Sequence, residues 1–357
     1  MTTAPPAPTP TPAQQLVGRV LADGWRVVRE VTRTNQQTGG FFSVGYEVVS
    51  PAGRRGFLKA LDYVRAFKGE DPAVLLNKMT ADFLFERSVL NLCRTRRLSR
   101  VVTAIGDGSV DVDPSRGGLG AVQYLIFEWA DRDLRSKVDA LEEIELADVL
   151  RVLHEVSSGL QQLHGTGVAH QDIRPSNILE FDSEQRLKLA DLGRSICREI
   201  VAPHEHLEIV GALSYAPPEY LYGAVPPEWT DRRLGADLYL LGSLAAFLIS
   251  GLSMNALLAR QLASEHNWHH WTGKFQDALP YLWDAHARVR YQLGALLPAS
   301  RVEVVSLVGY LTAPDPARRG HPKDIAARGN KQSLARFISR FDAIRASTRA
   351  ETIRRRA

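Results

Sequence analysis

The sequence predicts an α+β fold in which strands come first and helices follow. Five short β-rich runs crowd into the first 127 residues, at 24–31, 43–49, 54–61, 101–105 and 122–127, with one long helical pattern among them at 73–97. From Leu146 onward, helical periodicity dominates. A chain of 357 residues, 45% apolar and 24% charged, is globular and long enough for one large two-part domain or two ordinary ones.

Each element has its own justification. Residues 1–12 are Pro, Thr and Ala with neither a basic start nor an apolar core, so they read as a disordered tail, reaching to about residue 15, and not as a signal peptide. Gly24 to Val31 and Ser43 to Val49 are joined by Thr38-Gly39-Gly40 and read as a hairpin. Arg54 to Leu61 follows a Pro51-Ala52-Gly53 turn and carries Lys59 in an apolar setting, Phe57-Leu58-Lys59-Ala60-Leu61. In the 73–97 helix, Leu76, Met79, Phe83 and Leu90 form a stripe, and Glu86 lies on the core side beside Phe83, Val89 and Leu90, where a carboxylate needs a partner. Turn chemistry at 113–118 separates the next two strands.

Leu146 to Thr166 places Val149, Leu150, Leu153, Val156, Leu160 and Leu163 on one face. Ile178 to Phe181 and Leu187 to Ala190 form a second hairpin around Asp182-Ser183-Glu184-Gln185, which brings Asn177 and Asp191 to the same end. Leu238 to Ala259 is uncharged and long enough to span a bilayer, but Gly242, Ser243, Ser250, Gly251, Ser253 and Asn255 interrupt it and Asp237 precedes it, so it is expected to be a buried core helix.

Charge and cysteine usage exclude several classes. Lys331 to Ala357 holds eight Lys and Arg against Asp342 and Glu351, so the net charge of +4 belongs to the C-terminus and a nucleic-acid-binding fold is not indicated. Two cysteines, Cys93 and Cys197, suit a reducing, cytoplasmic setting better than a disulfide scaffold.

The chemistry concentrates in His170-Gln171-Asp172-Ile173-Arg174-Pro175-Ser176-Asn177-Ile178-Leu179 and Asp191-Leu192-Gly193. Two carboxylates and an amide at this spacing suit a metal-bound phosphate tail, with Asp172 accepting a proton from a hydroxyl and Asn177 and Asp191 holding magnesium. These residues resemble the catalytic and metal-binding segments of the eukaryotic-type (Hanks-type) protein kinases, above all bacterial serine/threonine kinases. Phe127-Glu128-Trp129-Ala130, Pro217-Pro218-Glu219, Asp237-Leu238-Tyr239-Leu240-Leu241-Gly242 and Asp315-Pro316-Ala317-Arg318-Arg319 extend the likeness in the family's order, from about Trp25 to Arg319.

The resemblance implies a two-lobed kinase domain over 16–345: a small lobe to about 128, a larger mainly helical lobe from 129, a longer-than-usual stretch at 252–298, and a basic tip at 346–357. It implies ATP with Mg²⁺, or Mn²⁺ in its place. Lys59, held by Glu86, would grip the α/β-phosphates under a loop containing Gly39, Gly40 and Val44. Phe127 would control the rear of the pocket, Glu128 and Ala130 would read adenine by backbone, Asp133 would reach the ribose, and Leu179 would join the nucleotide contacts. Arg174 would offset γ-phosphate charge, while His170 would be a packed structural histidine. Glu219 would pair with Arg319. The expected acceptor is a Ser or Thr hydroxyl of a protein, the chain itself included.

The chain departs from the family pattern at several places. Gln37 and Phe42 occupy outer glycine positions, Phe57 replaces a small residue beside adenine, and Ala212 replaces the usual Thr. Gln171 replaces the usual Arg and removes the cation that meets a phosphorylated activation loop, so turnover is expected without loop phosphorylation. These departures keep a second reading open, a pseudokinase serving as a nucleotide-binding or scaffolding module. His266, His269 and His270 among Trp268, Trp271 and Trp283 have helical spacing but no completing ligand, so a partner-docking surface is preferred to zinc. The C-terminal pattern Leu334, Phe337, Ile338, Phe341, Ile344 predicts a helix that docks on the domain or meets an acidic partner or membrane.

Overall fold

The computed structural model describes residues 9–31, 42–139, 145–183, 186–327 and 330–356. The chain divides into two compact units, one of residues up to 95 with 102–130 and one of 96–101 with 131 onward, so the boundary falls two residues beyond the expected 128.

The first unit is an antiparallel five-stranded sheet of order β1-β2-β3-β5-β4: β1 (Arg26–Glu30), β2 (Ser43–Val49), β3 (Arg55–Leu61), β4 (Ala104–Asp111) and β5 (Ala121–Glu128), with the helix α1 (Pro72–Thr95). The fourth strand was expected at 101–105; it starts at Ala104, and Val101 instead bridges Leu189 in the second unit. Side chains alternate across a strand, so pairing partners share a face. Val44 lies opposite Ala60, Tyr46 opposite Leu58, Gly45 opposite Lys59 and Glu47 opposite Phe57. Val44, Tyr46, Val48, Leu58 and Ala60 therefore form one apolar face, which Ala13, Leu16, Leu21 and Trp25 cover. Burying each large apolar side chain there contributes about 1.5–3 kcal/mol.

The segment expected to be a free tail to residue 15 is thus fastened from Thr11 onward. The Thr11 hydroxyl donates to Asp62 Oδ2 at 3.0 Å, and the Tyr46 hydroxyl donates to the Ala13 carbonyl at 2.6 Å. Apolar burial of Leu16 and Ala13 outweighs the composition bias that suggested disorder. Residues 1–8 lie outside the described residues, as does the expected glycine loop with Gln37, Gly39 and Gly40.

The second unit contains a three-stranded sheet and a ribbon among helices. In chain order these are β6 (Arg132–Asp133), α2 (Leu134–Asp139), α3 (Leu146–Gly165), β7 (Val168–Ala169), β8 (Ile178–Phe181), β9 (Arg186–Leu189), β10 (Ile196–Cys197), α4 (Pro218–Leu221), α5 (Gly235–Ser250), α6 (Met254–Gln261), α7 (Phe275–Ala295), α8 (Val302–Leu311), α9 (Pro322–Ala326) and α10 (Ala335–Arg356). The sheet order is β6-β8-β9, and β10 pairs with β7.

The uncharged run 238–259 is two helices, not one. Gly251 ends α5 in the left-handed region at φ 76°, which a glycine adopts without strain, and the Ser253 hydroxyl caps α6 by accepting from the Ala256 amide. Thr230–Ser250 is apolar and long enough to cross a membrane, and 83% of its apolar window is buried inside the protein, which accounts for its composition.

The 252–298 stretch is built into the core, with Leu258, Ala278, Leu282, Ala285, Val289 and Leu293 buried. Its histidines do not converge. His266 stacks on Tyr281 with ring centroids 3.5 Å apart, His269 meets Trp268 Nε1, and His270 turns to Ser264. No group of three or more His, Cys, Asp or Glu suited to a metal occurs among the described residues. The apolar face of α10 is used within the unit: Phe337, Phe341 and Ile344 are buried, as is Leu334 just before the helix, and α10 packs against α3. Helix α10 continues through the expected basic tip to Arg356.

Candidate active site

In the first unit, Lys59 and Glu86 meet. Lys59 Nζ lies 3.0 Å and 2.8 Å from the two Glu86 carboxylate oxygens, and Glu86 is buried. Glu86 sits on α1 amid Phe83, Val89 and Leu90, where an unpaired charge would be costly.

Val44 is not on the Lys59 side of the sheet. The resemblance placed it with the loop over the phosphates, and the register puts it on the covered face with Ala60, 4% exposed. Gly45 takes the position across from Lys59. A Cβ on Gly45 would come within 2.9 Å of the Phe57 ring, so the missing side chain on β2 makes room for the large one on β3. Phe57 in turn lies opposite Phe127 on β5. Glu128 ends β5, and Ala130 is the last residue of this unit.

The second unit holds the polar loop. Asp237, fully buried at the start of α5, accepts from the backbone amides of His170 and Gln171 at 2.8 Å each and from His164 Nε2 at 2.9 Å. His170 is wholly buried; its Nε2 donates to the Ala190 carbonyl at 3.1 Å and its Nδ1 accepts from the Asp172 amide at 3.3 Å, so it fixes loop geometry. The Asn177 amide donates to Asp172 twice, to the carboxylate at 2.9 Å and to the backbone carbonyl at 2.8 Å. That use of Nδ2 leaves Asn177 Oδ1, touched among the described residues only by a long 3.4 Å bond from Ser176, as the atom turned to other work.

Arg174 Nη2 lies 3.2 Å from Asp172 Oδ2, while Arg174 Nε is buried without an acceptor among the described residues. Asp191 adopts the left-handed conformation at φ 62°, and its carboxylate has no hydrogen bond or ion pair among the described residues. Such backbone strain concentrates where side chains must be aimed. Oxygen donors of this kind, one amide and one carboxylate, fit a magnesium ion that completes its shell with water and phosphate. The Ala190 amide donates to the Asn177 carbonyl at 2.9 Å and ties the two donors' strands together.

Two further expected residues lie in the β6-β8-β9 sheet. Asp133 was expected at the ribose, but it is buried and its Oδ1 accepts from the Ser136 amide at 2.7 Å and hydroxyl at 3.0 Å, so it caps α2. Leu179 is half-buried on β8, between Asp133 on β6 and Lys188 on β9. Although Ala212 lacks a hydroxyl, its backbone amide points at Asp172 Oδ1, at 3.4 Å. Glu219 and Arg319 form a doubly bonded pair.

Sequence reading missed three residues that shape the loop. Asp237 was seen only as part of a motif, yet a lone carboxylate opening an apolar helix signals buried amide partners. Arg233, 2% exposed, stands beside Gln171 and supplies a cation where the Gln was expected to leave none. Glu180, fully buried, gathers Arg132 at 2.8 Å and Lys137 at 3.5 Å, and no sequence spacing announces that cluster.

A protein kinase domain model matches residues 56–328. Curated relatives include serine/threonine-protein kinase F of Synechocystis sp., 31% identical over 162 residues, covering 44% of this chain and 30% of the relative. Cyclin-dependent kinase B2-2 of Arabidopsis thaliana is 33% identical over 134 residues, 36% of this chain and 40% of the relative. The probable serine/threonine-protein kinase PknB of Lactococcus lactis is 20% identical over 246 residues, 68% of this chain and 36% of the relative. The alignment thus spans well under half the length of each of these relatives.

Proposed function

Because the chain belongs to the protein kinase family, we propose that it transfers the γ-phosphoryl group of ATP to Ser or Thr hydroxyls of a protein substrate. The observation that carries this reading is the Asp172–Asn177 coupling: one amide holds the Asp172 carboxylate in place and leaves its own oxygen for a cation. The relatives named as serine/threonine kinases support the choice of acceptor.

Each residue then has a task. Asp172 orients the acceptor hydroxyl and takes its proton as the phosphoryl group moves. Arg174, with an unmatched buried Nε, offsets negative charge on the transferring group. Lys59, aligned by Glu86, holds the α/β-phosphates. Asn177 and Asp191 would hold magnesium, which screens the phosphate charge when bound. Phe57 over Gly45 supports an aromatic platform in place of the usual aliphatic contacts beside the base.

Intact-mass spectrometry after incubation with Mg·ATP and dephosphorylated casein tests the reading, beside Asp172→Ala. Phosphate on Ser or Thr with the wild type alone is the expected result. Wild-type protein that binds Mg·ATP yet phosphorylates neither casein nor itself would favour the pseudokinase reading.

A further inference from the structure

A buried guanidinium joins three parts of the second unit. Arg233 lies in the turn Thr230–Leu234 that leads into α5, and its side chain is 2% exposed. Its Nη2 donates to the Glu205 carbonyl at 3.1 Å and its Nη1 to Gln171 Oε1 at 3.4 Å. Gln171 returns the contact, donating through Nε2 to the Arg233 carbonyl at 2.8 Å and to Asp237 Oδ1 at 3.1 Å. The neighbouring Arg232 donates to the Leu207 carbonyl at 3.0 Å. Two successive arginines therefore hold two carbonyls of the 195–212 segment.

That segment is also pressed against the loop that carries Asp172. A Cβ on Gly211 would lie 2.1 Å from the Gln171 carbonyl oxygen, so only glycine permits the approach. The Ala212 amide reaches Asp172 Oδ1, and His204 Nε2 meets the Ser195 carbonyl at 2.9 Å. Gln171 itself is held at φ 64°.

Burying a cation is costly unless its donors are matched. The hydrogen bonds from Arg233 run to neutral acceptors, one on the segment and one on the catalytic loop, while the Glu205 and Asp237 carboxylates supply nearby negative charge, so the segment provides one of the acceptors that match the buried donors. Were the segment to swing away, a buried guanidinium would lose an acceptor. We infer that Arg233 is a positioning residue that seats the 195–212 segment on the Gln171–Asp172 loop, so that Asp172 is held ready with no phosphate on the segment. The inference rests on the kinase reading for its catalytic consequence, but the seating itself does not.

The test measures amide hydrogen exchange and steady-state kinetics on the full chain for Arg233→Met and Arg233→Lys. Arg233→Met should accelerate exchange across 203–212 at least tenfold while α5 remains protected. Its kcat should fall at least tenfold with KM for Mg·ATP within about twofold, and Arg233→Lys should recover part of both losses. Should Arg233→Met fail to fold, Arg233→Lys carries the exchange test. Unchanged exchange over 203–212 in a folded variant overturns the inference, as does a wild type that loses turnover on phosphatase treatment. Faster exchange in a protein without any turnover would uphold the seating while removing the kinase reading.

Discussion

Arg319 grips Glu219 with both terminal nitrogens, each 2.7 Å from a carboxylate oxygen, and neither side chain has any solvent exposure. The guanidinium also donates to the Ala313 carbonyl at 3.1 Å and lies over the Tyr239 ring at 5.1 Å. Breaking such a pair strands a charge in the interior. Arg319→Met or Glu219→Gln should each cost about 3–5 kcal/mol, read as a lower urea midpoint. The double variant Glu219→Leu/Arg319→Met should recover much of that loss. A single variant as stable as the wild type would contradict this account.

Gly45 and Phe57 form a small-for-large exchange across two strands. Gly45→Val should clash with the Phe57 ring and destabilise by about 1–3 kcal/mol. Phe57→Ala added to it should restore most of the loss, since contacting residues couple. Additive losses in this cycle, followed by thermal unfolding, would show that the ring does not depend on the missing side chain.

Asp172 and Asp191 should separate chemistry from nucleotide binding. Asp172→Ala should lower turnover by at least about 10²-fold, within the range of a lost general base, and leave Mg·ATP affinity close to wild type. Asp191→Ala should weaken Mg·ATP binding as well, in isothermal titration. Equal affinities in the two variants would remove Asp191 from the metal set.

His286 gives a pH dependence of defined sign. Buried beside the Thr312 hydroxyl at 2.9 Å, it is pushed by burial, and further by Arg290 and Arg319, from 6.5 down to about 3. The unfolded chain takes up a proton here below pH 6.5 and the folded protein does not until about pH 3. Stability from this group is therefore complete above pH 6.5 and declines as pH falls toward 3, approaching about 1.4 kcal/mol per unit within that window. Urea unfolding from pH about 7 to about 5 should show His286→Gln losing less stability than the wild type on acidification. Parallel slopes would show that His286 does not carry the effect.

The catalytic loop was legible because its residues are spaced along one chain segment and few other chemistries use that spacing. Glu86 could be chosen over other glutamates since its apolar neighbours left it no other way to be buried. Val44 shows the opposite case. The loop resemblance placed it with the nucleotide contacts, while Val44, Tyr46 and Val48 alternate with Gly45 and Glu47, and the alternation assigns Val44 to the covered side. The face of a strand residue follows from pairing register, which a motif match leaves open. Asp133 carries a capping role that the resemblance did not indicate, because an acidic residue before a short helix caps it as readily as it binds a sugar. Arg233 was invisible because its partners, Gln171 and Glu205, are distant in sequence and are met through neutral oxygens, which no charge pattern advertises.

The seal that Ala13 and Leu16 place over the sheet gives the protein an internal indicator. Burial, aided by Glu30, lifts the Tyr46 phenol from 10.0 to about 12 while its hydroxyl is bound to the Ala13 carbonyl. Peeling the leading segment away would return that phenol toward its aqueous value, so alkaline ultraviolet titration would distinguish the lidded sheet from a bare one by a single tyrosine.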